Sequence, residues 1–501
     1  MSEALTKFQE YLKKMDYYRR AITLLDWDLY TQTPKLGYEG MADALSYFST
    51  EYFVLSTAQE LEDLLNTLAK PEEFEQLNEI MRYTVRTMKR DMEKEKRVPK
   101  EFFTAMVSAQ SASRQAWQEA KRASDFSIFA PHLEKMIEMT ARKAAYTDPG
   151  KEVYDVLLDQ YEEGMDSATI DRIFAELKEG LITLVSRILA APQPDSGKFH
   201  AYCDCSAQKK VQDLLLEYIG FSHDAGVTGE SEHPFTMGFS GKDVRVTNHY
   251  HENDAISAMF SAIHEGGHAI FEQNVNPDCD GTPAQDCCYM GIHESQSRFY
   301  ENILGRNKNF WVPIYPKIQE LLPAFQNITL DEFYKEINHV QNSFIRTEAD
   351  EVTYCLHIII RYEIEQAIFR DHVAVSELPA LWNQKMQEYL QITPANDAEG
   401  ILQDMHWSDG SFGYFPSYLL GNIYDGMFLN ALEEDLGSVD TLLADGKILT
   451  ITRWLNEKIH QYGSLRLPKE VIEKVCGKEL SAAPLLDYFT KKYTKIYQLA
   501  D

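Results

Sequence analysis

The chain has 501 residues, of which 44% are hydrophobic and 12% aromatic, enough for a large core and too apolar for extensive disorder. Its formal net charge of -29, from 49 Lys+Arg against 78 Asp+Glu, repels phosphate backbones and anionic bilayers, so neither nucleic acid nor a membrane is expected as a partner. The opening Met1-Ser-Glu-Ala-Leu-Thr-Lys7 lacks the apolar run of a signal peptide and Ile358-Ile-Ile360 is too short to span a bilayer, so a cytoplasmic location is expected.

The first 190 residues read as successive helices. Phe8, Leu12, Tyr17 and Tyr18 approximate one helical face, and Leu61, Leu64, Leu65 and Leu68 define another. Pro34, with Gly37 and Gly40 behind it, breaks the first helical region before Met41 resumes it. Good helix formers dominate 97–145, with Pro99 near one start and Pro131 expected at a break or in a first turn. Asp148-Pro-Gly150 marks a turn, and Asp166-Ser-Ala-Thr-Ile170 opens an amphipathic helix reaching about residue 189. The segment 190–198, Ala-Ala-Pro-Gln-Pro-Asp-Ser-Gly-Lys, is the best linker. It divides a helical lobe, 1–190, from a catalytic lobe, 200–501, and the expectation is one catalytic unit over 1–501.

Between His233 and Thr247 the period changes to two. Val244 and Val246 alternate with Asp243, Arg245 and Thr247, and Phe235, Met237 and Phe239 supply a hairpin partner, so a small β-sheet is expected at the rim of a mainly α body. Helices resume at 255 and run nearly to the end. The chain has no internal repeat, no Gly-rich phosphate loop, no dinucleotide fingerprint and no Gly-x-Ser-x-Gly elbow. Seven cysteines, at 203, 205, 279, 287, 288, 355 and 476, lack the spacing of a zinc knuckle or a disulfide framework, so free thiols are expected.

The chemistry is concentrated in His264-Glu-Gly-Gly-His268. Histidines four apart share one helix face and can bind one metal, while Glu265 stays beside them to work on water. Ile256, Phe260, Ile263, Ala269 and Ile270 make the neighbourhood apolar, and burying two imidazoles and a carboxylate there is costly unless a divalent cation pairs them. The Gly266-Gly267 pair costs about 1–2 kcal/mol of helix propensity, which suggests close approach of substrate or of a neighbouring strand.

A catalytic zinc takes a third protein ligand and keeps one position open. The residues after His268 offer no further histidine at the required spacing, and Glu272 is better placed to orient a histidine or face the core. Glu294, 26 residues beyond His268 (294 − 268), is the candidate ligand, on a second helix within Met290-Gly-Ile-His-Glu-Ser-Gln-Ser-Arg-Phe-Tyr-Glu301. His293 points about 100° away on that helix and is not a ligand candidate. Metal-assisted hydrolysis follows, with Glu265 accepting a proton from water and passing it to the leaving amine, and a tyrosine or histidine donating to the developing oxyanion.

Read together, His233-Pro-Phe235, Asp243-Val-Arg-Val-Thr247, His264-Glu-Gly-Gly-His268, His293-Glu-Ser-Gln296, Ile345-Arg-Thr-Glu-Ala-Asp350 and Gly400-Ile-Leu-Gln403-Asp-Met-His406-Trp407 resemble the motif set of the carboxypeptidase Taq family of metallocarboxypeptidases. The resemblance extends from Leu25-Asp-Trp27-Asp28 through Gly281-Thr-Pro283 to Gly413-Tyr-Phe-Pro-Ser-Tyr418. It implies an elongated, saddle-like helical homodimer with a deep groove, releasing single residues from peptides with a free C-terminus, broad in side chain and poor on proline. It further implies zinc, or cobalt in its place, on His264, His268 and Glu294, with Glu265 as general base.

A free carboxylate calls for an arginine partner. By the resemblance Arg346 is the first choice and Arg245 the second, an ion pair of Arg346 with Glu348 or Asp350 being the structural alternative. His233 and His406 are expected at the groove, Tyr418 as oxyanion donor with Tyr414 in reserve, and Gln403, Asp404 and Trp407 as wall or support. An oligoendopeptidase or dipeptidase would share the metal chemistry without the carboxylate clamp; a non-catalytic peptide-binding protein would not need Glu265.

Overall fold

The computed structural model describes residues 2–194, 196–287 and 289–500 and is mainly helical with one small sheet. Helix starts follow the local sequence: Asn78, Asp125, Asp166, Asp204, Asp254 and Asp350 each accept a first-turn N–H that would otherwise lack a partner. The break expected at Pro131 falls instead at Ser124, left-handed with φ 53°, between helices Lys100–Ala123 and Phe126–Thr147. Asp125 caps the second of these, which absorbs Pro131 in its second turn at the loss of one backbone donor.

Phe8, Leu12, Leu61, Leu65 and Leu68 are buried as their spacing requires. Tyr17 is not, because five residues beyond Leu12 the helix has turned well away from the core. In the linker, Asp195 lies outside the described residues, while Phe199 is buried against Phe325 and Phe333. The Tyr154 hydroxyl donates to Glu365 at 2.7 Å and the Tyr362 hydroxyl to Asp171 at 2.7 Å, tying residues before the linker to residues after it.

Strands β1 (Gly226–Glu230), β2 (Thr236–Ser240) and β3 (Asp243–Asn248) form a sheet in the order β1-β3-β2. The β2–β3 pair is the expected hairpin, with Thr236 opposite Val246. β1 joins in parallel, Gly226 opposite Val244. Its sequence, Gly-Val-Thr-Gly-Glu, holds a single large apolar residue and carries almost no strand signal. Val244 and Val246 of the central strand are fully buried, and the strand packs on the helix Ala255–Gln273, called here the histidine helix.

That helix crosses Met290–Arg298, the carboxylate helix, which continues into a π-helical turn over Phe299–Leu304. Glycines set the crossing. A Cβ on Gly267 would stand 2.6 Å from the carbonyl oxygen of Gln296 and 2.8 Å from Cα of Ser297; one on Gly266 would stand 2.6 Å from the Ile219 side chain. The pair therefore admits two neighbouring helices, not substrate or a strand as the sequence suggested. On its other side the carboxylate helix meets Gly421 of the helix Phe415–Leu436, where a Cβ would lie 3.1 Å from the Ser295 nitrogen.

Two acids are buried among neutral donors. Glu365 accepts from Tyr154, from Trp407 Nε1 at 2.8 Å and from the Gly413 nitrogen at 2.9 Å; Glu162 accepts from the Gly291 nitrogen and from Tyr424. Burial outweighs these bonds and raises both carboxyls to about 7. Each acid thus stabilises the fold fully below its ordinary value of 4.5, and that contribution, at most about 3 kcal/mol, is lost as pH rises through 7. Urea midpoints of the wild type and Glu365→Gln between about pH 4.5 and about pH 8 check this: the wild type should lose ground to the variant with rising pH, and a constant difference counts against it.

Candidate metal centre

His264 and His268 project together from the histidine helix, their ring centres 5.0 Å apart. Glu294 Oε2 lies 3.6 Å from His268 Nε2 and 3.9 Å from His264 Nε2, and the three ligand atoms fall within 4.8 Å of one another. A tetrahedral divalent ion with bonds of about 2.1 Å separates its ligands by about 3.4 Å, so this donor set fits one with little side-chain movement. His293 takes another course: its Nε2 bonds Glu272 at 3.2 Å and its ring stacks on His268 at 4.4 Å. Glu272 therefore orients a histidine, as expected.

A second row of residues fixes the first. His264 Nδ1 donates to Glu301 Oε2 at 2.8 Å, which leaves Nε2 with its lone pair toward the centre. Arg298 Nε donates to Glu294 Oε1 at 2.8 Å and its Nη1 to Glu301 at 3.2 Å, so one guanidinium holds both carboxylates and leaves Oε2 of Glu294 facing the imidazoles. Burial opposes charge here, but Arg298 and the imidazoles hold Glu294 well below its ordinary value. Burial and the neighbouring His293 lower His268 to about 3, a neutral ring able to ligate.

Glu265 is buried one residue along, pointing to β2. Thr236 Oγ1 lies 2.7 Å from its Oε2 and 2.9 Å from its backbone oxygen, and burial raises the carboxyl above its ordinary value. A buried, braced carboxylate with raised basicity is suited to accept a proton from water.

Aromatic side chains gather on the other side of Glu294. His406 Nε2 is 3.3 Å from the Tyr418 hydroxyl, Tyr414 packs edge-on against Tyr418, and Tyr161 packs against Tyr414. Burial raises Tyr418 well above its usual value and Tyr414 to about 12, so both remain hydroxyl donors; burial also lowers His406 to about 4.

Arg346 lies beside Tyr418, its guanidinium carbon 5.1 Å from the ring centre. Its ion-pair partner is neither Glu348 nor Asp350: Nε and Nη2 donate to Asp404 Oδ1 at 3.1 and 2.9 Å, and Nη1 donates to the Tyr354 hydroxyl at 3.0 Å. Asp350 is instead occupied in capping the helix Glu351–Phe369. Arg245 is held by Asp243 through two bonds of 2.9 Å and stacks on Phe239, and His233 is exposed in the loop before β2. Among the described residues no side-chain hydrogen bond or ion pair joins these two to His264, His268 or Glu294.

Glu301, Arg298, Thr236 and Tyr354 had not been singled out from the sequence. The spacing Glu294, Arg298, Glu301, four residues and then three, marks one helix face and was the available signal. Among the described residues the cysteines at 203, 205, 279, 355 and 476 are free thiols, and no helix is long and apolar enough to cross a membrane; Cys288 lies outside the described residues.

Comparison with known proteins identifies the family. Residues 7–493 match the family model for carboxypeptidase Taq (M32) metallopeptidases. The chain is 44% identical to carboxypeptidase 1 of Bacillus subtilis (strain 168), covering 98% of both chains, and 34% identical to thermostable carboxypeptidase 1 of Thermus thermophilus, covering 97% of this chain and 98% of that one. The crystal structure of the M32 carboxypeptidase from Deinococcus radiodurans R1 superposes with a TM-score of 0.95 at 30% identity, over 99% of this chain and all of the other. With the family model spanning almost every residue and a relative 44% identical over 98% of both chains, the chain belongs to the carboxypeptidase Taq (M32) family of metallopeptidases.

Proposed function

We propose that this metallocarboxypeptidase releases single residues from peptides with a free C-terminus, broadly tolerant of side chain and slow on terminal proline, with zinc as its ion and cobalt able to replace it. The observation that carries the reading is the convergence of His264, His268 and Glu294 beside the buried carboxylate of Glu265, which is not one of the three. When bound on those three residues, the ion supplies Lewis acidity to the scissile carbonyl and to water. Glu265, braced by Thr236, takes the proton of the attacking water and returns it to the departing amine. Tyr418 donates to the former carbonyl oxygen, steadied by His406, with Tyr414 in reserve.

Arg346 receives the terminal carboxylate, since after its bonds to Asp404 and Tyr354 one N–H on each terminal nitrogen stays available. Arg245 and His233 contribute from the β2–β3 side of the cleft. The chain works as one catalytic unit, residues 1–501, in a cytoplasmic homodimer.

A peptide and its C-terminally amidated twin, followed by mass spectrometry alongside elemental analysis, test the reading. One-residue steps on the free peptide, little attack on the amide and stoichiometric zinc are expected. Equal cleavage of both peptides overturns it in favour of an oligoendopeptidase or dipeptidase.

A further inference from the structure

Asp404 joins Arg346 to a second arginine that is closed off from solvent. Arg361, on the helix Glu351–Phe369, is fully buried beneath Trp382, its guanidinium carbon 4.6 Å from the indole. Its Nε donates to Asp404 Oδ2 at 2.6 Å, its Nη2 to Gln403 Oε1 at 2.7 Å and its Nη1 to the His357 carbonyl at 2.8 Å. Those same acceptors hold Arg346: Asp404 takes its guanidinium through Oδ1, and Gln403 Oε1 accepts its backbone N–H at 2.9 Å. Arg361 therefore fixes, at once, two of the three groups that hold Arg346, the Tyr354 hydroxyl being the third.

The charges do not balance. Asp404 is the only carboxylate bridged to either guanidinium among the described residues, and it serves both. Two buried cations sharing one anion leave one positive charge over, and an isolated buried charge is unstable until something neutralises it. A monocarboxylate of the kind that ends a peptide supplies the missing anion and takes the free N–H groups of Arg346.

We propose that Arg361 is a positioning residue that, through Asp404 and Gln403, orients Arg346 and provides the surplus positive charge that selects a free terminal carboxylate. This rests on the assignment of Arg346 as the clamp. It differs from that assignment in placing half of the clamp's electrostatics on a residue closed off from solvent.

The test compares wild type with Arg361→Lys and Arg361→Gln on a peptide and its amidated twin, with bound metal, melting temperature and inhibition by an N-acetylated amino acid measured for each. Losing an outer partner of this kind typically weakens a site about 10–100-fold. KM for the free peptide and the inhibition constant should rise by that factor in Arg361→Gln, which removes both the surplus charge and the planar fork, and by a smaller factor in Arg361→Lys, which keeps the charge and loses the fork, with kcat and metal content nearly unchanged and the slow rate on the amide unaffected. Where Arg361→Gln does not fold, Arg361→Lys is read alone. A fall in kcat at constant KM, or an unchanged inhibition constant, overturns the proposal. A wild type that ignores amidation instead overturns the carboxypeptidase reading on which it rests.

Discussion

Glu265→Gln protein should retain its metal and its fold while turnover falls by about 100- to 10,000-fold, the usual contribution of a positioned general base. Glutamine keeps the shape of the side chain and can still meet Thr236, so the helix and the three ligands have no reason to move. What it removes is the ability to take a proton from water beside the site. The check is kcat on a free-carboxylate peptide set against metal content by elemental analysis. Undiminished kcat with full metal would overturn the assignment of Glu265 as the proton acceptor.

Glu294→Ala should remove the metal itself. The substitution deletes the only carboxylate in the ligand set and also strands Arg298, whose Nε loses its acceptor in a buried setting. Bound zinc after dialysis should fall to a small fraction of stoichiometric and activity should fall with it. Glu301→Ala gives the comparison: it frees His264 Nδ1 without touching a ligand, and metal affinity should weaken by about 10–100-fold. Stoichiometric metal in Glu294→Ala would refute the ligand assignment, and equal losses in both variants would mean that collapse of the surrounding packing, not ligation, was being measured.

The parts of the site legible in the sequence are those written in short spacings. His264 and His268 are a helical turn apart and Glu265 is adjacent, so periodicity groups these three, while Glu294, on its own helix after the next loop, was a candidate that only a crossing of the two helices could bring in. Arg298 and Glu301 lie within a turn or two of Glu294, but other supporting contacts join residues far apart in the chain. Thr236 meets Glu265 across 29 residues, Arg361 meets Asp404 across 43 and Glu162 reaches Gly291 across 129. No local pattern encodes such pairings. The same limit explains Arg346, whose nearby acids Glu348 and Asp350 were the natural guesses while its true counter-ion waits on a distant loop.

In the fold, the β2–β3 hairpin was visible because its residues alternate, and β1 was hidden because a parallel edge strand with two glycines has nothing to alternate. Gly266 and Gly267 were rightly suspected of admitting a close neighbour. Which neighbour it was depended on packing between helices, a property that exists only once the chain has folded.

The glycines that flank the carboxylate helix carry a final implication for the tolerance of the site. A methyl group at Gly267 would meet the backbone of Gln296 and Ser297, and one at Gly421 would crowd the backbone of Ser295, neighbours that cannot swing aside as the end of a flexible side chain can. Alanine at Gly267 therefore pushes on the helix that carries Glu294 and alters the spacing of that carboxylate from the two imidazoles.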